Sequence, residues 1–351
     1  MRYATNYDIG DRKRGQGINE DSLSVTAFEE GHRDGHRGET RGDGRPANRS
    51  AGVFVLADGA GGYDAGDAAS YIATTVIAER LAPVAIGAVR SRPHEFDVDL
   101  PDSVTPDPLG PDEVQAAIAD AVVDAHREIL RYGRDADTTA YTTVVAGVYA
   151  DGKLHLGWVG DSRAYLVNGD RGEIVRLTKD HAVVEHLADE GEIDEVEAHV
   201  HPDGNEITRA LGGPAHGDPD EATVGVETRT VRLYAEDTVV ATSDGLIDAQ
   251  TDAPRLYREY TDADRDEEVG ESVLDAVVTD AEIRDVVLEA DSLTAAVREY
   301  VALANERGGK DNLSLVLLAD DALPSTPRGG LPVRAVDPDD VLDRETIIVE
   351  E

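Results

Sequence analysis

Two apolar runs in this chain stop abruptly at an aspartate that is followed by glycine. V-F-V-L-A-D-G covers residues 53–59, and T-V-V-A-T-S-D-G covers residues 238–245. Short apolar runs rich in β-branched residues are typical of buried strands, and the Asp-Gly pair then turns the chain. Each run therefore predicts a buried strand that presents a carboxylate at the rim of a sheet.

Two further acidic motifs stand next to apolar runs. N-E-D occupies 19–21, and K-D-N occupies 310–312, directly before the apolar run 313–318. Several carboxylates at one rim would repel each other unless a cation lay between them. Hard oxygen ligands favour Mg²⁺ or Mn²⁺ over zinc. The four motifs together predict a divalent metal site.

The charge balance narrows the class of protein. The 351 residues include 33 basic and 73 acidic ones, which gives a net charge of −40. Phosphate repulsion at such a surface excludes a nucleic-acid binder. Lysine occurs only four times, and an acidic, lysine-poor surface indicates adaptation to high salt, as in a halophile. The alternative, a disordered acidic protein, is disfavoured by the long apolar strands.

The chain contains no cysteine, so disulfides, thiolate metal sites and thiol nucleophiles are excluded. No stretch approaches 18 consecutive apolar residues, and the N-terminus lacks the apolar core of a signal peptide. We therefore expect a cytoplasmic protein that does not associate with membranes.

The order of the predicted elements indicates an α+β fold. Helical spacing predicts helices over about 65–81, 112–132 and 292–305. Apolar runs at 142–149 and 153–160, joined by Asp-Gly, predict a hairpin, and 163–177 predicts a second one. Because strands adjoin strands and helices adjoin helices, we expect antiparallel sheets between helical layers.

Three segments fall outside this pattern. Residues 29–51 have no periodicity and are predicted to form a mobile loop, and residues 91–111, with five prolines, form a second loop. Residues 321–351 are predicted to be a tail outside the core, although T-I-I-V at 346–349 could pair as a short strand. The predicted folded domain is thus 1–320.

Taken in order, these motifs resemble the metal-dependent protein phosphatase family, the PPM or type 2C class, in its bacterial or archaeal form. The resemblance spans residues 2–319. The matching pieces are N-E-D-S (19–22), A-D-G-A-G-G (57–62), T-T (142–143), V-G-D-S-R (159–163), L-T-K-D-H (177–181), H-P-D-G-N-E-I-T-R-A-L-G (201–212), T-S-D-G-L (242–246) and G-K-D-N (309–312). Each piece alone is weak, but their shared order makes chance agreement remote. The resemblance implies a four-layer α/β/β/α sandwich of two antiparallel sheets flanked by helices, with a flap subdomain at 182–206.

The resemblance also implies a mechanism and a set of site residues. It implies two Mg²⁺ or Mn²⁺ ions per chain and a third, weaker one, which activate a water to hydrolyse phosphoserine or phosphothreonine in proteins. Asp58, Asp244 and Asp311 are the implied catalytic residues. The implied metal ligands are Glu20, Asp21, Asp58, the carbonyl of Gly59, Asp161, Asp244 and Asp311.

This sequence departs from the family at two positions. The family's phosphate-binding arginine corresponds to Gln16, and we predict that Arg14 replaces it, with Gly15 and Gly17 giving the backbone freedom that the displacement needs. A histidine that serves some members as general acid corresponds to Ala60. The leaving group would then take its proton from water. Outside the metal ligands, Asp180-His181 is predicted to cap a helix.

Two alternatives stay open. The chain could be a pseudophosphatase that binds phosphoproteins without turnover, which the missing arginine favours. It could also be a phosphatase for small phosphoesters or phosphotyrosine. In the main interpretation its partners are phosphorylated protein substrates and a cognate Ser/Thr protein kinase, in a signalling role.

Overall fold

The computed structural model describes residues 1–15, 17–28, 50–59, 65–89, 108–214, 218–329 and 334. Most of the two predicted loops and of the predicted tail lies outside these residues, as do Gln16 and Ala60. The statements below concern the described part of the chain.

The strands in the described residues pair antiparallel in two five-stranded sheets and a two-stranded one. They are β1 Arg2–Asp8, β2 Ser22–Phe28, β3 Ala51–Ala57, β4 Ala140–Thr142, β5 Val144–Ala150, β6 Lys153–Val159, β7 Arg163–Asn168, β8 Glu173–Arg176, β9 Leu211–Gly213, β10 Glu227–Arg232, β11 Asp237–Thr242 and β12 Leu313–Ala319. The first sheet has the order β1-β12-β11-β7-β8, and the second has the order β10-β6-β5-β3-β2. The short sheet joins β4 to β9.

Helices cover the outer faces of both large sheets. They are α1 Gly66–Ala88, α2 Pro111–Ala136, α3 Val183–Asp189, α4 Glu195–Val200, α5 Ala253–Asp262, α6 Glu267–Leu274, α7 Asp280–Glu289 and α8 Leu293–Arg307, with 3₁₀ turns at Pro219–Glu221 and Asp244–Leu246. The helices α1 and α2 pack on the second sheet, and α7 and α8 pack on the first. The predicted α/β/β/α sandwich is confirmed.

The space between the two sheets is filled by large apolar side chains. Phe54 and Trp158 from the second sheet pack against Leu166 and Val316 from the first. The side chain of Phe54 lies so close to Gly147 that a Cβ at that glycine would come within 2.2 Å of the ring. Gly147, the partner of Phe54 on the neighbouring strand, thus makes room for a large side chain in the core between the sheets.

The helix α1 is, by length and composition alone, apolar enough to cross a membrane, a property that core helices share. One of its faces is fully buried in the cluster that it forms with α2 and β3, through Ala69, Ala73, Ile77 and Leu81. Packing on the sheet thus accounts for the composition of α1.

The segment predicted as a flap, 182–206, is closed at its base by a bridge between Ala182 and Ile207. It contains α3 and α4, and α4 shares a small apolar core with α5 and α6 through Val200, Leu256 and Tyr260. The segment therefore packs against helices that come 50 or more residues later in the chain.

The first residues of the predicted tail contact the sandwich. The N–H of Ala235 donates to the carbonyl of Pro324 at 3.0 Å, and the hydroxyl of Thr326 donates to Glu236 at 2.8 Å. Arg334 reaches Asp237 at the start of β11 at 3.0 Å. The domain boundary at residue 320 stays a prediction.

Candidate active site

The four acidic motifs meet where both large sheets end. In the second sheet Asp21 precedes β2 and Asp58 follows β3, and Ser22 lies opposite Ala57 in that antiparallel pair. In the first sheet Asp244 follows β11 after Ser243, and Asp311 comes two residues before β12. The fold therefore brings these four predicted site residues to one rim.

Asn312 joins the ends of the two sheets. Its buried side chain accepts the N–H of Glu20 at 2.8 Å and donates to the carbonyls of Ile9 and Ile18 at 3.1 and 3.4 Å. Asn19 plays a similar local part, because its Oδ1 accepts the N–H of Asp21 at 3.0 Å. Neither asparagine was predicted as a site residue from the sequence. The sequence feature that could have identified them is an asparagine directly beside an acidic residue, as in N-E-D and K-D-N.

Asp21 is held from the opposite sheet. The hydroxyl of Ser243 donates to its Oδ2 at 2.8 Å, and the N–H of Ser314 donates to Ser243 at 2.9 Å. The other oxygen of Asp21, Oδ1, is buried without a hydrogen-bond partner. Burial, and then the charge of Asp244, raises the pKa of Asp21 to about 7. The carboxylate is thus fixed in place but not neutralised by the protein.

Asp58 lies close to both Asp21 and Asp244, so the negative charges of these three buried acids repel one another. Burial, followed by the charges of these two neighbours, raises the pKa of Asp58 well above its usual value. Burial and the charge of Asp311 raise the pKa of Asp244. The Oδ1 of Asp244 has no hydrogen-bond partner. Three buried acids that repel one another at one rim favour the binding of a cation.

Residue 59, directly after Asp58, is a glycine because two other backbone segments come very close to it. The N–H of Gly59 donates to the carbonyl of Glu20 at 3.2 Å. A Cβ at Gly59 would lie 2.4 Å from the carbonyl oxygen of Gly66, so a larger residue would push the loops apart. Gly66 is equally crowded, since a Cβ there would lie 2.7 Å from Oε1 of Glu20. The side chain of Glu20 thus lies against the start of α1, and partial burial raises its pKa.

The T-T motif fixes Asp58 and links it to the G-D-S-R loop. The hydroxyl of Thr142 donates to the carbonyl of Asp58 at 2.8 Å, and the N–H of Thr143 donates to the same oxygen at 2.8 Å. Thr143 and Ser162 are joined through their hydroxyls at 2.8 Å. Gly160 has a φ of +102°, and a Cβ there would lie 2.6 Å from Thr143. Ser162 therefore links the G-D-S-R loop to the T-T motif.

Asp161 from this loop faces Asp244 and a further acid, Asp248, that the sequence analysis did not single out. Burial, and then the charge of Asp244, raises the pKa of Asp161 well above its usual value and that of Asp248 to about 7. Asp248 Oδ2 lies 3.9 Å from the ammonium group of Lys310. The sequence feature that could have identified Asp248 is its position four residues after Asp244, about one helical turn further along the chain.

The prediction that Asp180-His181 caps a helix is wrong. The residue at the start of α3 is Ala182, and no side chain caps that helix. Instead, Nδ1 of the buried His181 accepts the N–H of Gly160 at 3.0 Å, and Asp180 accepts from Arg163 at 2.8 Å. Burial lowers the pKa of His181, which suits an acceptor nitrogen. Both residues thus hold the G-D-S-R loop in place through hydrogen bonds.

Two neighbouring cations lie at the rim in different surroundings. Arg14, predicted to bind phosphate, is exposed and paired with Asp8 at 3.1 Å and Asp11 at 3.0 Å. Lys13 is hydrogen-bonded to Asp311. Partial burial would lower the pKa of Lys13, but the contact with Asp311 and the charges of Glu20 and Asp58 raise it. The phosphate-binding role of Arg14 stays a prediction.

Within the described ranges, no three acidic or histidine side chains are already set to hold a metal ion. In this structure Asp21 instead accepts from Ser243, and Asp311 pairs with Lys13. The donor set nevertheless fits a hard cation, because it offers only oxygen. The buried, unpartnered Oδ1 atoms of Asp21 and Asp244 carry a desolvation cost that a bound cation would remove.

Comparison with known proteins agrees with this geometry. The sequence profile described as protein phosphatase 2C matches residues 34–278, more than half of the chain. The chain belongs to the protein phosphatase 2C family. It is therefore a protein phosphatase and has the fold of that family.

Curated relatives extend the similarity. The serine/threonine phosphatase stp of Listeria innocua is 26% identical over 268 residues, which cover 76% of this chain and 83% of that protein. The protein phosphatase PhpP of Streptococcus pneumoniae is 26% identical over 271 residues, 76% of this chain and 85% of that one.

Among solved structures, the serine/threonine phosphatase PstP/Ppp of Mycobacterium tuberculosis aligns with a TM-score of 0.57 at 25% identity, covering 90% of this chain and 97% of that chain. A PstP catalytic domain in complex with two manganese ions aligns with a TM-score of 0.55 at 25% identity, covering 90% and 96%.

Proposed function

We propose that this phosphatase hydrolyses phosphoserine and phosphothreonine in proteins with the help of two Mg²⁺ or Mn²⁺ ions. Similar proteins are named serine/threonine phosphatases, and one similar catalytic domain was solved with two manganese ions. The observation that carries the proposal is the placement of Asp21, Asp58 and Asp244 at the rim where both sheets end, with a buried, unpartnered oxygen on Asp21 and on Asp244.

The position of each acid indicates which ion it would hold. Asp58 would serve both ions, because it lies close to an acid from each sheet, and the carbonyl of Gly59 would bind one of the ions. Asp21, with Glu20, would hold one ion, and Asp244, with Asp311, would hold the other. Asp161 and the adjoining Asp248 would hold the third, weaker ion. The last assignment rests on the mutual charge coupling of Asp161, Asp244 and Asp248.

When bound, the ions neutralise the phosphate charge and acidify the attacking water. The residues of the chain supply the fixed frame for this chemistry. The hydroxyl of Thr142 and the N–H of Thr143 hold the backbone of Asp58, and Ser243 holds Asp21. Because these supports are buried, the acids keep their positions without the loss of ordering entropy that mobile side chains would suffer.

The leaving group is expected to receive its proton from water. Ala60, at the position where some family members have a histidine, carries no titratable group. Proton transfer by a positioned acid contributes typically about 100-fold to 10,000-fold to a rate. Aryl phosphates, whose leaving groups need little protonation, should therefore react faster than alkyl phosphates.

The substrates would be phosphorylated proteins, which a Ser/Thr protein kinase in the same compartment, the cytoplasm, must supply. The segment 182–206 carries several exposed acids, including Glu190, Glu192 and Glu195. Beside the site they would disfavour acidic peptides at low salt and matter less when salt screens them.

The test is a manganese-dependent assay in about 1 M salt, where surface charge is screened. It uses an aryl phosphate and a panel of phosphoserine, phosphothreonine and phosphotyrosine peptides. Activity should vanish with EDTA and return with Mn²⁺ or Mg²⁺. Asp58→Asn and Asp244→Asn should each lower kcat/KM by about 100-fold or more. The matched control is Asp321→Asn, an exposed acid paired with Arg2 after the far end of β12.

Each alternative has its own outcome in this assay. Full activity of the metal-stripped protein would contradict metal dependence. Turnover of phosphotyrosine peptides or small esters alone would favour the second alternative. Binding of phosphopeptides without turnover, with every divalent ion tried, would make the chain a pseudophosphatase.

A further inference from the structure

The distribution of lysine in this chain is uneven. Almost all positive charge is arginine, and only four lysines occur, at 13, 153, 179 and 310. Lys13 and Lys310 stand on the two sides of the loop that carries Asp311. Lys13 contacts Asp311 itself, and Lys310 lies 3.9 Å from Asp248. Lysine is a compact charge on a flexible stem, whereas arginine is a planar fork that suits fixed pairs.

The backbone around Lys13 is built to place it at Asp311. The N–H of Arg12 donates to the carbonyl of Gly309 at 3.1 Å. Gly10 has a φ of +77°, and a Cβ there would lie 2.3 Å from the carbonyl oxygen of Asp311. The N–H of Gly17 closes the turn by donating to the carbonyl of Lys13 at 2.8 Å. The turn that contains Lys13 is thus docked on the Asp311 loop by its backbone, without a contribution from the Lys13 side chain.

Arg14, one residue later, faces a different set of acids. Its guanidinium donates to both oxygens of Asp8, at 3.1 and 3.2 Å, and lies 3.0 Å from Asp11. Its side chain is 56% exposed, against 29% for Lys13. The two acids that neutralise Arg14 lie outside the carboxylate rim, so the charge of Arg14 is already balanced.

We propose that Lys13, rather than Arg14, is the side-chain cation that contacts the substrate phosphate, and that its ammonium group exchanges between Asp311 and the phosphate. The proposal rests on the proposed function. When Asp311 binds a divalent cation, like-charge repulsion releases the ammonium group from it. Glu20 and Asp58, whose charges also act on Lys13, are proposed ligands as well, so the phosphate dianion at the same rim would be the anion left for the ammonium group. A flexible stem with three donors permits this exchange, and the docked turn limits how far the group can move.

The exchange makes Lys13 a competitor of the metal and a ligand of the phosphate, and each role has its own measurement. The variants are Lys13→Met, which removes the charge, Lys13→Arg, which keeps it, and Arg14→Met. Arg12→Met is the matched control for loss of one positive charge in the same turn. Calorimetric Mn²⁺ affinity and the melting temperature are measured on metal-free protein. Inhibition by inorganic phosphate and KM for an aryl phosphate are measured with Mn²⁺.

Lys13→Met should bind Mn²⁺ several-fold more tightly, melt at a lower temperature without metal, and bind inorganic phosphate about tenfold more weakly. Lys13→Arg should keep phosphate inhibition within about threefold of the wild type, because the charge is retained. Arg14→Met and Arg12→Met should change phosphate inhibition little.

Weakened phosphate inhibition in Arg14→Met but not in Lys13→Met would overturn the proposal in favour of Arg14. Unchanged inhibition in both would overturn it as well. If the wild type shows no turnover, the proposed function fails. The Mn²⁺ affinity and the metal-free melting temperature of Lys13→Met would still show whether Lys13 competes at Asp311.

Discussion

The two ends of the sandwich both place acids beside β11 and β12, yet they treat these acids differently. At the end away from the site, Asp237 accepts from Asn168 at 2.7 Å, from Arg334 at 3.0 Å and from the N–H of Tyr234 at 2.7 Å. Asp320 accepts from the hydroxyl of Tyr149 and lies 3.4 Å from the N-terminal ammonium group. At the site end, Asp244 keeps a buried oxygen without a partner.

The difference separates structural acids from ligand-binding ones on the same two strands. A buried carboxylate with a full set of donors adds nothing to a ligand site, because its hydrogen-bonding capacity is used. A buried carboxylate that lacks donors is a cost to the folded state until a cation binds. Burial alone therefore does not identify the site in this fold; the partners of each acid do.

The largest expected effect is a contrast in stability between Asp237→Asn and Asp244→Asn. The first change leaves the buried guanidinium of Arg334 without its counter-charge and should cost about 3–5 kcal/mol. The second removes a like charge from the rim, so the free energy of unfolding of the metal-free protein should stay the same or rise. Chemical denaturation in EDTA measures both values.

Two controls sharpen this contrast. Asp321→Asn, on an exposed acid, should stay within about 0.5 kcal/mol of the wild type. A double variant, Asp237→Asn with Arg334→Met, should recover part of the loss because neither charge remains. An equal loss from Asp237→Asn and Asp244→Asn would remove the distinction between the two ends.

A smaller expected effect is the change in the stability of the folded state with pH. Because the folded-state pKa values of Asp21 and Asp248 are raised to about 7, these acids favour the folded state below pH 4, and that contribution is lost as pH rises to about 7. The buried His126, His155 and His199, whose pKa values are lowered to about 4, act in the opposite direction between pH 4 and 6.5.

Since the histidines lie outside the proposed ligand set, their contribution should cancel between metal-free and metal-loaded protein. We therefore expect the metal-loaded protein to gain stability over the metal-free protein between about pH 4 and 7, by on the order of 1–3 kcal/mol in the free energy of unfolding. The difference in melting temperature between the two forms should widen accordingly. Scanning calorimetry with EDTA or Mn²⁺ at matched pH measures it. A constant difference would mean that the rim acids do not titrate in this range.

Local patterns predicted much of the fold and of the acidic rim. The Asp-Gly hairpin at Asp151 and Gly152 has positive φ at both residues, as that turn requires. The helices α1, α2 and α8 and the strands that end at Asp58 and Asp244 follow from periodicity and from where apolar runs stop. Acids at strand ends are readable because strand direction and register fix where they point.

Contacts between distant segments were not readable in this way. The strand β1 is an edge strand with mostly polar residues, so it has no apolar run to mark it. Lys13 meets Asp311 across 298 residues of sequence, and Asn312 meets Glu20 across 292. The choice between Lys13 and Arg14 depends on how one turn docks on another loop. No local pattern encodes that docking.

The smallest expected difference between the two ends is in how the melting temperature depends on salt. With a net charge of −40, self-repulsion should destabilise the folded chain at low ionic strength. Between about 0.1 and 1 M salt the Debye length falls from about 10 to 3 Å, so the melting temperature should rise across that range. The rise should be nearly equal in metal-free wild type and Asp244→Asn, because a single acid among 73 contributes little to a charge spread over the surface. A wild-type melting temperature that does not change with salt would show that the acidity serves a purpose other than life at high salt. A rise confined to the wild type would place the repulsion at the rim instead of on the surface.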